Sequence, residues 1–452
     1  MKRPSQQGAP PAAREAFFLA RFPDALVKRL AHGRIYYGWY IVSVVFAIEI
    51  TTVGFNGPFF SLFLKPMSQE FGWTRTMTTG AVTIGTVVAA VISFGVGWIL
   101  DRYGPRWMLA AGCLVLGAAY LGLSQVNSLL VFYLIYAVGR SVFQSALGRN
   151  MLNALTSKWF VRRRAMAIAF STLGGVLGGT IMSPVTQGII DGYGWRQAWV
   201  LFGIMALSVA LLPWLLLRRL PEDIGLLPDG DGRSQTGQPS KDTSHAQTKR
   251  RPTEFNLTLG QAAHTISFWV LCVMMGVTLM ATTGVTFNMS PHFTDVGVSK
   301  AAAAAAISVF TVFQAPSVFL WGFVADRLGA KQALLGVLLN LAVGTWLISR
   351  AHSPMEAYLG SAVFGAGMGG IMLAIDVVWA DFFGRKHLGN IRGASMAFQM
   401  VGNASGSIIA AMLYDWKGSY DDAFKAIIAA LLLSSAILML ARKPRPKTEA
   451  TP

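Results

Sequence analysis

The stretch GWILDRYGPR, residues 97–106, returns 225 residues later as GFVADRLGAK, residues 322–331. The two copies share a glycine, an Asp-Arg pair, a second glycine and a final basic residue at identical spacing. Two further pairs follow in the same order: RAMAIAF from Arg164 with RGASMAF from Arg392, and more weakly GWRQAW from Gly194 with SYDDAF from Ser419. Three matches at nearly one offset indicate that the chain arose by duplication of one structural unit.

The composition is that of a membrane protein rather than a soluble one. Hydrophobic residues make up 53% of the 452 residues and charged residues 13%, and the mean hydropathy is +0.49. Soluble domains contain about 25% charged residues. Apolar runs of about 20 residues, long enough to cross a bilayer, recur along the whole chain. Because lipid offers the backbone no hydrogen-bond partners and the runs lack the alternation of barrel strands, they are predicted to be helices.

Twelve such runs are predicted to span the membrane. They lie at residues 38–64, 76–100, 106–124, 129–153, 165–190, 197–217, 266–290, 301–325, 332–349, 357–380, 393–414 and 423–441. A polar stretch at 218–262, rich in Gly, Ser, Pro and charge, divides them six and six and is predicted to be a flexible linker. The predicted organisation is an all-α polytopic protein with a tail (1–37), a six-helix bundle (38–217), the linker, a pseudo-symmetric second bundle (263–441) and a tail (442–452).

The net charge of +17 is distributed by membrane face. If both termini lie on one side, the loops of the other side hold few basic residues, which are Lys65, Arg75, Arg196, Lys300, Arg350, Lys417 and Lys425. The positive-inside rule then predicts a multi-pass protein of the cytoplasmic membrane with both termini in the cytoplasm. This asymmetry accounts for the charge without a nucleic-acid partner.

Signs of catalysis, a cofactor or a metal are lacking in the sequence. The six His residues are scattered, and no GxxxxGK[ST] phosphate loop occurs. Cys113 and Cys272 lie inside apolar runs, where they are expected to pack as small hydrophobic residues. Enzymes and ATP-driven pumps are therefore disfavoured. A secondary transporter is favoured, because such proteins typically contain internal repeats.

The spans, the linker and the motif G-x-x-x-D-R-x-G-x-[RK] after spans two and eight resemble the major facilitator superfamily. Two segments, FFSLFLKPMSQEFGWTR after span one and RRLPEDIGLLPDG after span six, are similar to bacterial carriers of the monocarboxylate-porter and oxalate/formate-antiporter group. The resemblance implies a monomeric carrier that works by alternating access. It also implies a central cavity lined by spans one, four, seven and ten.

The repeated motif is implied by the resemblance to be a gate. Asp101 and Asp326 would dock on the starts of spans eleven and five, near Arg392 and Arg164, and latch the outward-open state. A carboxylate at a helix N-terminus is favourable, by roughly 0.3–2 kcal/mol. The complete gating set is Gly97, Asp101, Arg102, Gly104, Gly322, Asp326, Arg327, Gly329, Arg164 and Arg392. The alternative is that these are ordinary polar residues of a loop.

Two opposite charges are predicted at the same depth in the membrane. Glu49 lies about eleven residues into span one, ~16 Å deep in a ~30 Å core, and Arg140 lies about twelve residues into span four from the opposite side, at a similar depth near the middle. A lone charge there costs about 2.5–3.5 kcal/mol, which suggests that the two face each other or one watery cavity. The hypothesis is that Arg140 binds an anionic substrate and that protonation of Glu49 releases Arg140 for it. The alternative is a buried ion pair that only fixes helix packing.

Further polar residues follow helical spacing on the expected cavity faces. The candidate substrate-binding set is Arg140, Tyr136, Gln144, Asn56, Thr282, Thr286, Gln399 and Asn403, and the candidate proton-coupling set is Glu49 and Asp376. The alternative for the threonines is that their hydroxyls only form hydrogen bonds with the backbone of their own helix. The expected partners are a small organic anion, protons and the lipid bilayer.

The substrate is predicted to be a monocarboxylate or a bulkier amphiphilic acid. Several carriers of the resembled group have an arginine in span eight, whereas TVFQAPSVFLWGF, residues 311–323, has no cationic residue. Phe313, Trp321 and Trp379 are candidate apolar walls. The predicted function is proton-coupled symport. The rival is efflux of drug-like compounds, against which GGVLGGTIMSPV in span five carries its proline, Pro184, later than the antiporter pattern requires.

Overall fold

The computed structural model describes residues 27, 29–30, 35–160, 163–218, 220–227, 229, 257–384 and 388–440. Some helical side chains within these ranges, among them those of 97–103, 164–165 and 376–377, lie outside the description. The part described is helical, and ten of its stretches are long and apolar enough to cross a bilayer. The prediction of an all-α polytopic protein is confirmed.

The helices follow the predicted spans along the chain. In the first half they run Gly38–Thr51, Gly57–Phe71, Arg75–Ser124, Leu129–Ser145, Arg149–Trp159, Arg164–Tyr193 and Trp195–Leu216. In the second half they run Leu259–Ala263, Ile266–Asp295, Lys300–Leu328, Ala330–Ser349, Pro354–Phe383, Leu388–Lys417 and Asp421–Leu440, and two 3-10 turns occupy Thr52–Phe55 and Pro221–Ile224. We keep the ordinal numbers of the predicted spans, with Arg75–Ser124 containing spans two and three.

The repeated sequence motif has the same backbone geometry in both halves. Gly104, between spans two and three, has φ 77° and ψ 169°. Gly329, between spans eight and nine, has φ 99° and ψ 159°. Residues with a side chain rarely adopt positive φ, so both copies need glycine to turn one span into the next. The duplication seen in the sequence is therefore also a duplication of structure.

Span one is broken near its middle, which the sequence prediction missed. The helix from Gly38 gives way to the 3-10 turn Thr52–Phe55, and Asn56 is extended, with φ −76° and ψ 144°. The Asn56 side chain accepts a hydrogen bond from the Gly57 backbone N–H at 3.0 Å, and Pro58 stands in the first turn of the helix that follows. Proline favours a helix start and an asparagine side chain caps it, so the local sequence encodes a restart.

Span four is broken as well. Its first helix ends at Ser145, Gly148 is extended with φ −65° and ψ 147°, and a second helix begins at Arg149. The prediction of one helix over 129–153 was therefore wrong. The helices of spans seven and ten, Ile266–Asp295 and Pro354–Phe383, carry no such break. Interrupted membrane helices often mark a binding site, because the break exposes backbone groups.

The two halves meet close to one face of the membrane. We call the face with the loops after odd-numbered spans the odd face, and the opposite one the even face. The Thr83 hydroxyl of span two donates to the Ala404 carbonyl of span eleven at 2.5 Å. Between spans five and eight, Ser183 donates to the Ala304 carbonyl at 2.6 Å, and Ser308 donates to the Thr180 carbonyl at 2.7 Å. These hydrogen bonds hold the two halves together on the odd side.

Candidate functional site

A cavity of about 390 Å³ lies between the halves, beneath the contacts of the odd face. Its polar and small lining residues are Glu49, Thr52, Asn56, Gln144, Gly148, Arg149, Gly175, Gly179, Thr311 and Gln314. Phe59, Phe143 and Phe310 form apolar walls. The lining therefore comes from spans one, four, five and eight. The resemblance implied that spans seven and ten, not five and eight, would line the cavity together with spans one and four. Here the glycines of span five allow spans one and eight to pack close to it.

Glu49 is buried in the wall of this cavity, with 7% of its surface exposed. Its Oε1 has no hydrogen-bond partner in the described part of the chain. Its Oε2 lies against span five, where a Cβ on Gly175 would be only 2.9 Å away. The same point is 3.9 Å from Nη2 of Arg149, which is the charged group that faces Glu49. An acid and a base thus flank the backbone at Gly175.

Arg149 owes its position to the break in span four. It is the first residue of the helix Arg149–Trp159, it is exposed, and it lines the cavity beside Gly148. Gly148 stands at the N-cap position and has no side chain to cap the helix, and the first turn holds no acidic residue. A helix start exposes backbone N–H groups and a partial positive charge. The break therefore presents positive charge from both a guanidinium and a helix end.

Arg140 does not face Glu49, so that part of the predicted arrangement was wrong. Arg140 is 4% exposed, and its Nη1 donates to the Phe55 carbonyl at the end of the 3-10 turn in span one. Its guanidinium lies 5.4 Å from the ring centroids of Phe143 and Phe287. Equal depth in the membrane determines only one coordinate. The break in span one turns the Phe55 carbonyl toward Arg140, while Glu49 points to span five.

The other polar candidates divide into two groups. Asn56 and Gln144 line the cavity. Tyr136 is not among the lining residues; it is buried next to Phe55 and Phe60, and its hydroxyl lacks a partner in the described part. The second-half candidates are not among the lining residues.

Those second-half candidates form hydrogen bonds within the second half or remain buried. The Thr282 hydroxyl donates to the Leu279 carbonyl at 3.1 Å, and that of Thr286 to the Thr282 carbonyl at 2.9 Å. These are the hydrogen bonds to the helix backbone that the alternative interpretation of the threonines predicted. The Gln399 amide donates to Ser395 Oγ at 3.1 Å and to Met275 Sδ of span seven at 3.8 Å. Asn403 Oδ1 is buried with no partner within the described residues.

Some of the predicted residues lie outside the described part of the chain. These are the side chains of Asp101, Arg102, Arg164 and Asp376, whereas the backbone of Gly97 lies in the helix Arg75–Ser124. Of the second copy of the gate motif, Asp326 is exposed, Gly322 and Arg392 are half-buried, and the Arg327 guanidinium lies 4.3 Å from the Phe323 ring centroid.

The predicted aromatic walls are not the ones that surround the cavity. Trp321 donates through Nε1 to the Ala366 carbonyl at 3.0 Å, and Trp379 Nε1 lies 3.2 Å from Met275 Sδ, both within the second half. Phe313 is 46% exposed and does not line the cavity. The next residue, Gln314, does line the cavity. The prediction therefore identified the correct part of span eight but the wrong face of its helix.

Arg149, Gly175 and Gln314 were missed by the sequence analysis. A signal for the first existed: Gly148 directly precedes Arg149 and Asn150, and a glycine before polar residues inside an apolar span suggests an interruption. Gly175 was hidden among the five glycines of span five. Nothing in the sequence indicated that this one would lie against Glu49.

Comparison with known proteins agrees with this architecture. The sequence profile of the Major Facilitator Superfamily matches residues 40–296 and 257–452. The chain is 22% identical to the oxalate:formate antiporter of Oxalobacter formigenes, over 90% of this chain and 92% of that one. It is 26% identical to monocarboxylate transporter 12 of Rattus norvegicus, over 90% and 85%. It is 21% identical to the uncharacterized MFS-type transporter YcxA of Bacillus subtilis (strain 168), over 91% and 97%.

Solved structures share the fold at lower identity. A bacterial homologue of the human lysosomal transporter Spinster, solved in an inward-facing and occupied conformation, superposes with a TM-score of 0.68 at 15% identity, covering 90% of this chain and 97% of that one. The nucleoside transporter NupG superposes with a TM-score of 0.67 at 11% identity, covering 91% and 100%. With a family profile that matches nearly the whole chain, a duplicated helical fold and a cavity between the halves, this chain belongs to the Major Facilitator Superfamily and is a membrane transporter, not an enzyme.

Proposed function

We propose that this transporter moves a small organic anion, in particular a monocarboxylate, across the membrane together with protons. The observation that supports the proposal is the pair Glu49 and Arg149 in one cavity between the halves. A cation in a cavity is suited to bind a carboxylate. A buried acid beside it can alternate between a charged form that competes for the cation and a neutral form that does not.

The cavity favours an acid with one carboxylate and an apolar body. Arg149 is the basic residue among its lining residues, and span eight contributes Thr311 and Gln314. Phe59 and Phe143 provide apolar surface opposite the polar groups. Binding sites for small molecules typically combine such walls with a few polar groups. Two relatives named for oxalate, formate and monocarboxylates are consistent with this substrate class.

We propose further that the even face is cytoplasmic, as the distribution of Lys and Arg suggests. The odd face would then be external, and the contacts between the halves on that side would close the cavity to the outside. This state would be inward-facing. In the opposite state, Asp326 and its counterpart Asp101 would dock against the starts of spans five and eleven. The exposure of Asp326 fits a latch that is not engaged in the inward-facing state. A single chain would be the working unit.

Proton movement in proteoliposomes tests the proposal. Vesicles that hold the protein and an internal pH dye are challenged with a panel of monocarboxylates, and protein-dependent acidification is expected with at least one acid. Glu49→Gln should abolish uphill uptake driven by a proton gradient while leaving exchange of labelled acid for unlabelled acid. Glu222→Gln, in an exposed loop, is the matched control. No acidification and no exchange across the panel would contradict the proposal and favour efflux of larger compounds.

A further inference from the structure

We infer that the substrate carboxylate binds at the break in span four, on the Arg149 guanidinium and the backbone N–H groups that start the helix Arg149–Trp159, and that the ionised Glu49 carboxylate, which faces this guanidinium, competes with the substrate for it. The inference rests on the proposed function and assigns its anion site. It moves that site away from Arg140.

The start of this helix is suited to an anion. Met151 and Leu152 donate their backbone N–H groups to the Gly148 carbonyl at 2.9 and 3.2 Å, but no side chain caps the helix. The helix has 11 residues, so its N-terminus carries an appreciable partial positive charge. Anions bind such helix starts through backbone N–H groups. Gly148 and Arg149 both line the cavity, so the start of this helix borders it.

Glu49 supplies an independent indication of a ligand. It is more than nine-tenths buried, it lines the cavity that Gly148 and Arg149 also line, and its Oε1 has no partner in the described residues. A buried carboxylate oxygen without a partner is costly, so its persistence calls for a role. The Glu49 carboxylate faces Arg149 across Gly175, and a substrate carboxylate has the same shape and charge.

Span five provides the space in which the exchange can occur. A Cβ on Gly175 would lie 2.9 Å from Glu49 Oε2, and a Cβ on Gly179 would lie 2.4 Å from Thr311 Cγ2. Larger residues at these positions would displace the carboxylate or push span eight away. The charged group that faces Glu49 is Arg149 on span four, whereas spans five and eight contribute the neutral residues Gly175, Val176, Gly179, Phe310, Thr311 and Gln314. Glu49 and the substrate therefore compete for one cation.

Arg140 is excluded from this role by its surroundings. Its Nη1 donates to the Phe55 carbonyl, and its guanidinium lies 5.4 Å from the ring centroids of Phe143 and Phe287. Its buried Nε has no partner among the described residues, but Arg140 is not one of the residues that line the cavity. It is a support for the broken segment of span one. Removing it is expected to affect folding, while removing Arg149 is expected to affect anion binding.

Binding to the purified transporter in detergent tests the inference without relying on transport. Benzoate and acetate serve as anionic probes, with benzamide and acetamide as their neutral matches, and binding is measured by calorimetry. The wild type is expected to prefer each acid to its amide. Arg149→Gln should weaken benzoate binding by about tenfold or more, as for the loss of a charge-assisted bond, and leave benzamide unchanged. Lys158→Gln removes a charge from the other end of the same helix and should bind benzoate like the wild type.

A second pair of variants guards against misfolding. Gly175→Ala should weaken benzoate binding, because its methyl group would lie 3.9 Å from Arg149 Nη2, in the space that the benzoate carboxylate needs, whereas Gly188→Ala on the same span has open space and should not. Equal benzoate binding by Arg149→Gln and Lys158→Gln, or a wild type indifferent to the charge of every probe, would overturn the inference. Arg149-dependent benzoate binding without proton-linked uptake would leave the anion site standing and refute the proposed transport instead.

Discussion

The Asp295 carboxylate, at the end of span seven, lies 2.6 Å from Nη2 of Arg75, at the start of span two, and so joins the two halves at the odd face. The same carboxylate lies 3.1 Å from Lys65 Nζ. The Arg75 guanidinium stacks on the Tyr414 ring at 3.6 Å. Asp415 completes the group by accepting hydrogen bonds from the backbone N–H groups of Arg75 and Thr76 at 3.2 and 2.8 Å.

Asp295→Asn is predicted to shift the transporter toward the state that is open at the odd face. The substitution removes the negative partner of two cations on the opposite half, and each partly exposed pair contributes modestly, so a roughly two- to tenfold shift is expected. The measurement is the labelling rate of a single cysteine introduced at Asn56, in the cavity, by a maleimide that cannot cross the membrane.

Asp422→Asn is the control for this experiment. Asp422 pairs with Lys417 and Lys425, which belong to the same half, so its loss should not change the labelling rate. Equal labelling of the Asp295 and Asp422 variants would show that the ion pairs at the odd face do not hold the halves together.

Arg140→Ala is predicted to destabilise the protein rather than to weaken substrate binding selectively. It leaves the buried Phe55 carbonyl without its donor, which costs about 1–3 kcal/mol, and removes the packing between Phe143 and Phe287. Thermal unfolding in detergent should show a lower midpoint than for Arg350→Ala, a substitution at an exposed loop residue. Arg140→Lys should recover part of the loss. An unchanged midpoint with lost benzoate binding would assign Arg140 to the anion site after all.

Gly104→Ala and Gly329→Ala are predicted to have similar effects, because the two residues turn corresponding spans with positive φ. With ψ of 169° and 159°, both lie in a region of positive φ that is essentially restricted to glycine, where a side chain costs about 1–3 kcal/mol. Gly393→Ala, at a position with open space and no positive φ, should be neutral. Unfolding midpoints of the three variants provide the comparison. A large loss at one motif copy alone would mean that the two copies differ in their structural importance.

Much of the fold could be predicted from the sequence, because the duplicated motif is a local pattern. Its glycines are needed in both copies for the same turn with positive φ. Glu49 stood out for a similar reason, because a carboxylate in an apolar span needs an explanation wherever it points. Its neighbour could not be found in this way. Arg140 and Arg149 both lie in span four. The break at Gly148 brings Arg149 to the cavity, whereas Arg140 donates to the Phe55 carbonyl and does not line it. Breaks of this kind arise from packing between spans, which spacing along one helix does not reveal.

Gln314→Arg is predicted to change the preferred substrate from monocarboxylates toward dicarboxylates. Gln314 lines the cavity on span eight, across from span four, where Arg149 is the basic residue among those that line the cavity. A second cation would match a second carboxylate, while a monocarboxylate would leave that cation without a partner. Competition between benzoate and malonate for the purified protein measures the change, and the ratio of their affinities should shift by about tenfold or more toward malonate. Gln332→Arg adds the same charge at an exposed position outside the cavity and should leave the ratio unchanged. A similar shift in both variants would mean that overall charge, and not a second cation in the cavity, determines the preference.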